Sequence, residues 1–103
     1  MTAEADRRRL TPEEKVLRAF LDADGRIVTM PAKHGKRLVV LDHVARAFEI
    51  GVRYPERDVD AILRAFHADH AALRRYLVDE GFLSRDHNVY WRSGGTVPLP
   101  GDA

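Results

Sequence analysis

The chemistry that this sequence can perform depends on its clustered basic side chains. Lysine and arginine donate charged hydrogen bonds to phosphate, and arginine also donates paired hydrogen bonds to the edge of guanine. Such residues gather at three places in the second two-thirds of the chain. They predict contact with duplex DNA, in which phosphate contacts set position and base contacts set sequence. The predicted DNA-binding residues are Lys33, Lys36, Arg37, His70, Arg74, Arg75, Arg85 and Arg92.

Other chemistries have weaker support. His67 and His70 are three residues apart and could share a metal ion, but they flank a predicted helix start, where capping and structural roles are more common. The chain contains no cysteine. It has no glycine-rich phosphate loop or nucleophile elbow, and Asp58 and Asp60 fall on a polar helix face, where solvation is expected. We therefore predict neither an enzyme nor a metal or cofactor site.

The elements that must position these residues lie between residues 54 and 92. Val59, Ile62, Leu63 and Phe66 have the spacing of one apolar helix face and predict a helix over 55–66. Asp69 can cap a second helix over 69–80, after which Gly81 suits the helix end. Strands follow at 82–85 and 89–92, separated by turn residues. Helix, helix and hairpin in this order predict a winged helix-turn-helix, an α+β and mostly helical fold.

The first half of the chain supplies the remaining elements. Thr11 and Glu14 form a capping-box pattern and predict a helix over 12–23. A short strand is expected at 26–30, and a helix over 37–49 buries Leu41, Val44 and Phe48. A short strand near Tyr54 would match the first, brief strand of a winged helix. In an alternative register the recognition helix is 55–66, but only 69–80 runs directly into the hairpin.

Length, composition and net charge limit the number of domains and the classes of protein to which this chain can belong. A chain of 103 residues with 45% hydrophobic and 32% charged residues fits one small domain, predicted at 10–92 between disordered tails at 1–9 and 93–103. We find no apolar run long enough to cross a membrane and no secretory signal, so we expect a cytoplasmic protein. The formal net charge is only +1, so DNA binding would depend on local clustering.

Several motifs between residues 26 and 92 occur together. They are the loop Pro31, Lys33, Lys36 and Arg37, the helix Leu41 to Phe48, the segments Tyr54 to Leu63 and Asp69 to Gly81, and Arg85 with Tyr90, Trp91 and Arg92. Together these motifs resemble the bacterial family known as domain of unknown function 2087. The resemblance implies a winged-helix-type domain with a role linked to transcription, and it supplies no catalytic residue and no ligand.

Two functions follow as hypotheses. The first is a small winged-helix protein that binds double-stranded DNA, as a homodimer, as a transcriptional regulator or an accessory domain. The second is a protein–protein interaction module on the same scaffold that binds no nucleic acid. Its basis is the low net charge and the alanine-rich outer face of the predicted recognition helix. One continuous positive face would favour the first, and dispersed, paired charges would favour the second.

Overall fold

The computed structural model of the chain describes residues 10–96, which form four helices and a three-stranded antiparallel sheet. The predicted tail at 1–9 and most of the one at 93–103 lie outside the described residues. Ser93–Thr96 are described, and they continue from the last strand with hydrogen bonds to the domain.

Helix α1 spans Pro12–Phe20 and begins with the predicted capping box. Thr11 Oγ1 accepts from the Glu14 amide at 3.1 Å, and Glu14 Oε1 accepts from the Thr11 amide at 2.9 Å. The helix ends three residues before the predicted end at 23, because Leu21 adopts an extended backbone and pairs with Ile27. No residue of α1 is fully buried, so this helix covers the core from outside.

The predicted strand at 26–30 is wrong. Only Ile27 forms a β-bridge, to Leu21, and its amide donates to the Phe66 carbonyl at 2.7 Å. Ile27 is buried in the core, whereas Val28 next to it is 66% exposed. The segment therefore donates hydrogen bonds to the chain at the ends of two helices, from Val28 to Phe20 and from Ile27 to Phe66. It has no neighbouring strand with which to form a ladder.

Helix α2 spans His34–Ala45, so it starts three residues earlier than predicted and ends earlier too. Phe48 follows on a tighter turn, in which its amide donates to the Ala45 carbonyl. The apolar periodicity extended the predicted helix to 49 because Phe48 still reaches the core. The buried side chains of this segment are Val40, Leu41, Val44, Ala45 and Phe48.

The predicted helix pair is confirmed. Strand β1, Arg53–Pro55, leads directly into helix α3, Glu56–Arg64, which buries Val59 and Leu63. Helix α4 spans His70–Asp79 and begins where Asp69 Oδ1 accepts from the Ala72 amide at 3.1 Å. These two helices pack against each other and against the sheet.

The predicted hairpin is also present. Strands β2, Leu83–Asp86, and β3, Val89–Arg92, pair across the two-residue turn His87–Asn88. Gly81 ends α4 with a φ of 82°, in the left-handed region that glycine tolerates. Strand β1 pairs with the other edge of β3, so the sheet order is β1-β3-β2.

The order α2-β1-α3-α4-β2-β3 is compatible with a winged-helix-like layout. The helices contribute most of one hydrophobic core, to which the hairpin adds Leu83 and Tyr90. Among residues 10–96 no helix combines the length and the apolar character that crossing a membrane requires. The sheet and α4 thus position Arg74, Arg75 and Arg85.

Candidate nucleic-acid interface

A groove of about 180 Å³ separates α4 from the hairpin, and we call it the α4–hairpin groove. It brings together three arginines that are up to eleven positions apart in the sequence: Arg74, Arg75 and Arg85. One acid, Asp79, shares its wall. The full lining is Ala71, Arg74, Arg75, Val78, Asp79, Arg85 and Tyr90.

Arg74 is held by carboxylates of α3. Its Nη1 donates to Asp60 Oδ1, and its Nε lies 4.0 Å from Glu56 Oε1. The Arg74 side chain is 22% exposed and that of Asp60 is 18% exposed, so this pair is largely shielded from water. The expectation that Asp60 is solvated is wrong, because packing of α3 against α4 turns that helix face toward Arg74. The charge that Arg74 offers to a ligand is reduced accordingly.

The same contacts continue to the hairpin. Tyr90 is fully buried, and its hydroxyl donates to Glu56 Oε1 at 2.7 Å. Burial, reinforced by the nearby Glu56 carboxylate, raises the pKa of the Tyr90 phenol. One chain of polar contacts, from Tyr90 through Glu56 and Arg74 to Asp60, therefore links β3, α3 and α4.

His70 lies at the start of α4, on the side that faces α3. Its Nε2 is 3.9 Å from Asp60 Oδ2, and its side chain is 26% exposed. His67 is used locally, since its Nδ1 accepts from the Asp69 amide at 2.9 Å. Within residues 10–96 no group of three or more histidines and acidic residues has an arrangement suited to a metal ion.

Arg75 and Arg85 differ from Arg74. Both are exposed. Within the described part of the chain, neither has a carboxylate oxygen within 4.0 Å. The Arg85 guanidinium lies 5.6 Å from the centre of the Tyr90 ring, which holds it at the hairpin edge of the groove. These two cations are available to an incoming anion.

The basic residues at the start of α2 lie outside the α4–hairpin groove. Lys33 and Lys36 line a second groove, about 310 Å³, between α1 and α2, beside Glu13 and over an apolar floor of Val16 and Val39. We call it the α1–α2 groove. Both lysines are exposed, but they do not line the α4–hairpin groove.

Arg37 turns away from both grooves. Its Nη1 donates to the carbonyls of Ala32 at 3.3 Å and Pro31 at 3.5 Å. Its guanidinium lies 5.3 Å from the centre of the Tyr76 ring. Its Nε is buried and has no hydrogen-bond partner among the described residues. The side chain joins the loop before α2 to α4, which is a structural role.

Arg92 is also committed to the domain. It donates from Nε to the Gly94 carbonyl at 3.2 Å, from Nη1 to the Phe48 carbonyl at 3.5 Å and from Nη2 to the Thr96 carbonyl. The Thr96 amide donates to Asp42 Oδ1 at 2.6 Å. Burial alone would raise the pKa of Asp42, but the bonds from Thr96 and Arg46 outweigh it and lower that pKa. Arg92 thus fixes the chain after the hairpin.

The outer face of the sheet carries an arrangement that the sequence analysis missed. Tyr90 points into the core, so its neighbour Trp91 lies on the opposite face, partly exposed. Strand pairing places Arg53 opposite Trp91, with the guanidinium 4.5 Å from the centre of the ring. Only the strand register reveals this contact, since the two residues are far apart in the sequence.

Comparison with known protein families assigns this chain to a family. No curated protein matches the chain, and no solved structure does. A family model described as "Uncharacterized protein conserved in bacteria (DUF2087)" matches residues 26–92, which include α2, the sheet, α3 and α4. Because this match covers well over half of the sequence, the chain belongs to the DUF2087 family of uncharacterized bacterial proteins.

Proposed function

We propose that this protein binds duplex DNA as a winged-helix domain, with α4 as the recognition helix and the β2–β3 hairpin as the wing. The observation that carries the proposal is the position of Arg75 and Arg85 on the two sides of one groove. Neither has a carboxylate partner among residues 10–96. In winged helices the recognition helix enters the major groove. Here Arg75 is on that helix and Arg85 is on the adjacent hairpin, so both cations would lie next to the DNA.

Charge and shape at the α4–hairpin groove agree with this role. Arg75 stands on the exposed face of α4, and Ala71 one turn earlier leaves room for the edge of a base pair. Arg85 extends the positive charge onto the hairpin. Asp79 at the far end of α4 would repel phosphate, so contact is expected at the first turns of the helix.

The biological setting follows from the same proposal. A domain of this size that binds duplex DNA would act as a transcriptional regulator, or as an accessory domain of one, in the cytoplasm. A homodimer would place two recognition helices on successive turns of the duplex, the usual way in which small domains reach useful affinity.

The test is a salt titration against mixed-sequence duplex DNA. We expect binding at roughly 50 mM salt that weakens steeply by roughly 200 mM, because each phosphate contact releases counterions. The Arg75→Ala/Arg85→Ala variant is expected to bind on the order of tenfold more weakly at low salt, with a shallower salt dependence.

The control removes two cations elsewhere. Lys15 and Arg18 are exposed on α1, outside both grooves, so Lys15→Ala/Arg18→Ala changes the net charge by the same amount. It should retain most of the affinity. Absence of binding at low salt, affinity indifferent to salt, or equal losses in the two variants would each contradict the proposal.

A protein-interaction module on the same scaffold is the second candidate. Its specific basis is that Arg37, Arg74 and Arg92 are engaged by carbonyls or carboxylates of the domain, which leaves fewer cations for phosphate. The sheet face with Trp91 and Arg53 would then be the contact surface. Capture of one stable partner, equally by wild type and by Arg75→Ala/Arg85→Ala, would favour this candidate.

A further inference from the structure

Arg74 and Arg75 are neighbours in the sequence, but they differ in burial and in their contacts with carboxylates. Asp60 Oδ1 accepts from Arg74 Nη1, and Glu56 lies beside Nε. Each Nη atom carries two N–H groups, so one N–H of Nη1 and both N–H groups of Nη2 remain without a hydrogen bond among the described residues. The side chain lines the α4–hairpin groove. Arg75, by contrast, is exposed and has no carboxylate within 4.0 Å in the described part of the chain.

We propose that Arg74 is the residue that distinguishes bases, that it selects guanine, and that Asp60 is the positioning residue that fixes its orientation. This inference rests on the proposed function, since it assigns the base preference of the same groove. Arginine recognises guanine through paired hydrogen bonds to O6 and N7, which require a fixed guanidinium plane. A carboxylate behind the guanidinium provides that orientation before DNA arrives and reduces the entropy lost on binding.

The carboxylates have a second effect, on competing contacts. An arginine without a carboxylate partner can also turn to a nearby phosphate, a contact that carries no sequence information. Asp60 and Glu56 place negative charge behind Arg74, so the pull toward the backbone is weaker. Asp60 therefore costs affinity for DNA in general and increases the preference for one base. Arg75 and Arg85, without such partners, serve as the sequence-independent contacts.

The experiment measures base preference and affinity separately. Short duplexes with a randomised centre are bound at low salt, and the bound fraction is sequenced. Wild type should enrich guanine at one position, by on the order of tenfold over other bases. Arg74→Lys keeps the charge but loses the planar pair of donors, so it should bind with little change in affinity and lose that enrichment. The matched control, Arg75→Lys, should keep it.

Asp60→Asn gives the sharpest outcome, because it should move the two measurements in opposite directions. Removing the carboxylate should raise affinity for all duplexes while the guanine preference falls. If the pair served stability alone, loss of the charge would lower both or leave the preference unchanged, and either result would overturn the inference. Urea unfolding of each variant confirms that a folded protein is compared.

A further arm needs no variant. Wild-type protein should bind a selected duplex more weakly when the enriched guanine is replaced by 7-deazaguanine, which lacks the N7 acceptor. Binding without any base preference, a preference that survives Arg74→Lys, or insensitivity to 7-deazaguanine would overturn this inference while the proposed function stands. Failure of wild type to bind any duplex at low salt would overturn both.

Discussion

The α4–hairpin groove and the start of α2 both contain several basic residues. They differ in what surrounds the basic side chains that the domain itself does not engage. In each place the domain itself engages one arginine: Arg74 through Asp60, and Arg37 through two backbone carbonyls and the Tyr76 ring. Beside the first, Arg75 faces Arg85 across a groove. Beside the second, Lys33 and Lys36 face α1 and its Glu13.

The difference shows that a cluster in the sequence is not a cluster in space. Arg75 and Arg85 are ten positions apart and line one groove, because α4 runs directly into β2. Lys36 and Arg37 are adjacent and point to different surroundings, because successive residues of a helix face different directions. The comparison leads to four expectations.

The largest expected effect separates the engaged arginine from the free one. Arg74→Ala removes the partner of two carboxylates and leaves Asp60, 18% exposed, without its arginine, with His70 3.9 Å away as its remaining basic neighbour among residues 10–96. We expect a loss of about 2 kcal/mol in the free energy of unfolding, between the values for exposed and buried pairs. Arg75→Ala should change it by less than about 0.5 kcal/mol. Urea unfolding measures both, and equal losses would remove the distinction.

The next effect compares the two regions as proposed contacts to DNA. Arg75→Ala/Arg85→Ala should lower affinity for mixed duplex DNA by on the order of tenfold. Lys33→Ala/Lys36→Ala should lower it less, because those lysines line the α1–α2 groove. Fluorescence anisotropy at low salt compares the two variants. A loss at least as large for the lysine variant would mean that both regions form one binding surface.

A smaller effect tests the link between the hairpin and α3. Tyr90→Phe keeps the buried ring and removes the hydroxyl that donates to Glu56 at 2.7 Å. The free energy of unfolding should fall by about 1 kcal/mol, the typical value for one intramolecular hydrogen bond, because the Glu56 side chain is 35% exposed and water can replace the lost donor. Ser84→Ala, on the partly exposed outer side of the hairpin, is the control and should have less effect. An unchanged free energy of unfolding in Tyr90→Phe would mean that the Tyr90–Glu56 hydrogen bond does not stabilise the contact between the hairpin and α3.

The smallest effect is a pH dependence outside both regions. Burial, with help from the nearby Arg46 charge and against the pull of Asp42, lowers the pKa of His43 below 6.5. The folded state then binds fewer protons than the unfolded chain, so the His43 contribution to stability falls as pH drops through 6.5 toward the folded value.

His43→Gln should therefore reduce the fall in stability between about pH 7.5 and about pH 5.5, by a few tenths of a kcal/mol up to about 1 kcal/mol. Urea unfolding at the two pH values measures this, and His87→Gln at the exposed hairpin turn serves as the control. An unchanged slope in His43→Gln would mean that the imidazole titrates as it does in water.

The sequence by itself predicted the elements that carry strong local signals. The capping box at Thr11, the cap at Asp69, the apolar spacing of α3 and the turn after β2 are all confirmed. Each is fixed by neighbours within a few residues, so the sequence contains the whole cause. The false strand at 26–30 had strand-forming residues but no partner strand, and a ladder requires one.

Only the tertiary structure decided which charges remain free. The partner of Arg74 is on another helix, those of Arg92 include Phe48 far back in the chain, and Arg53 meets Trp91 through strand register. An ion pair or a stacking contact depends on distances between elements, and no periodicity encodes those distances. The sequence thus determined where helices and strands form, and packing determined which basic side chains a ligand can reach.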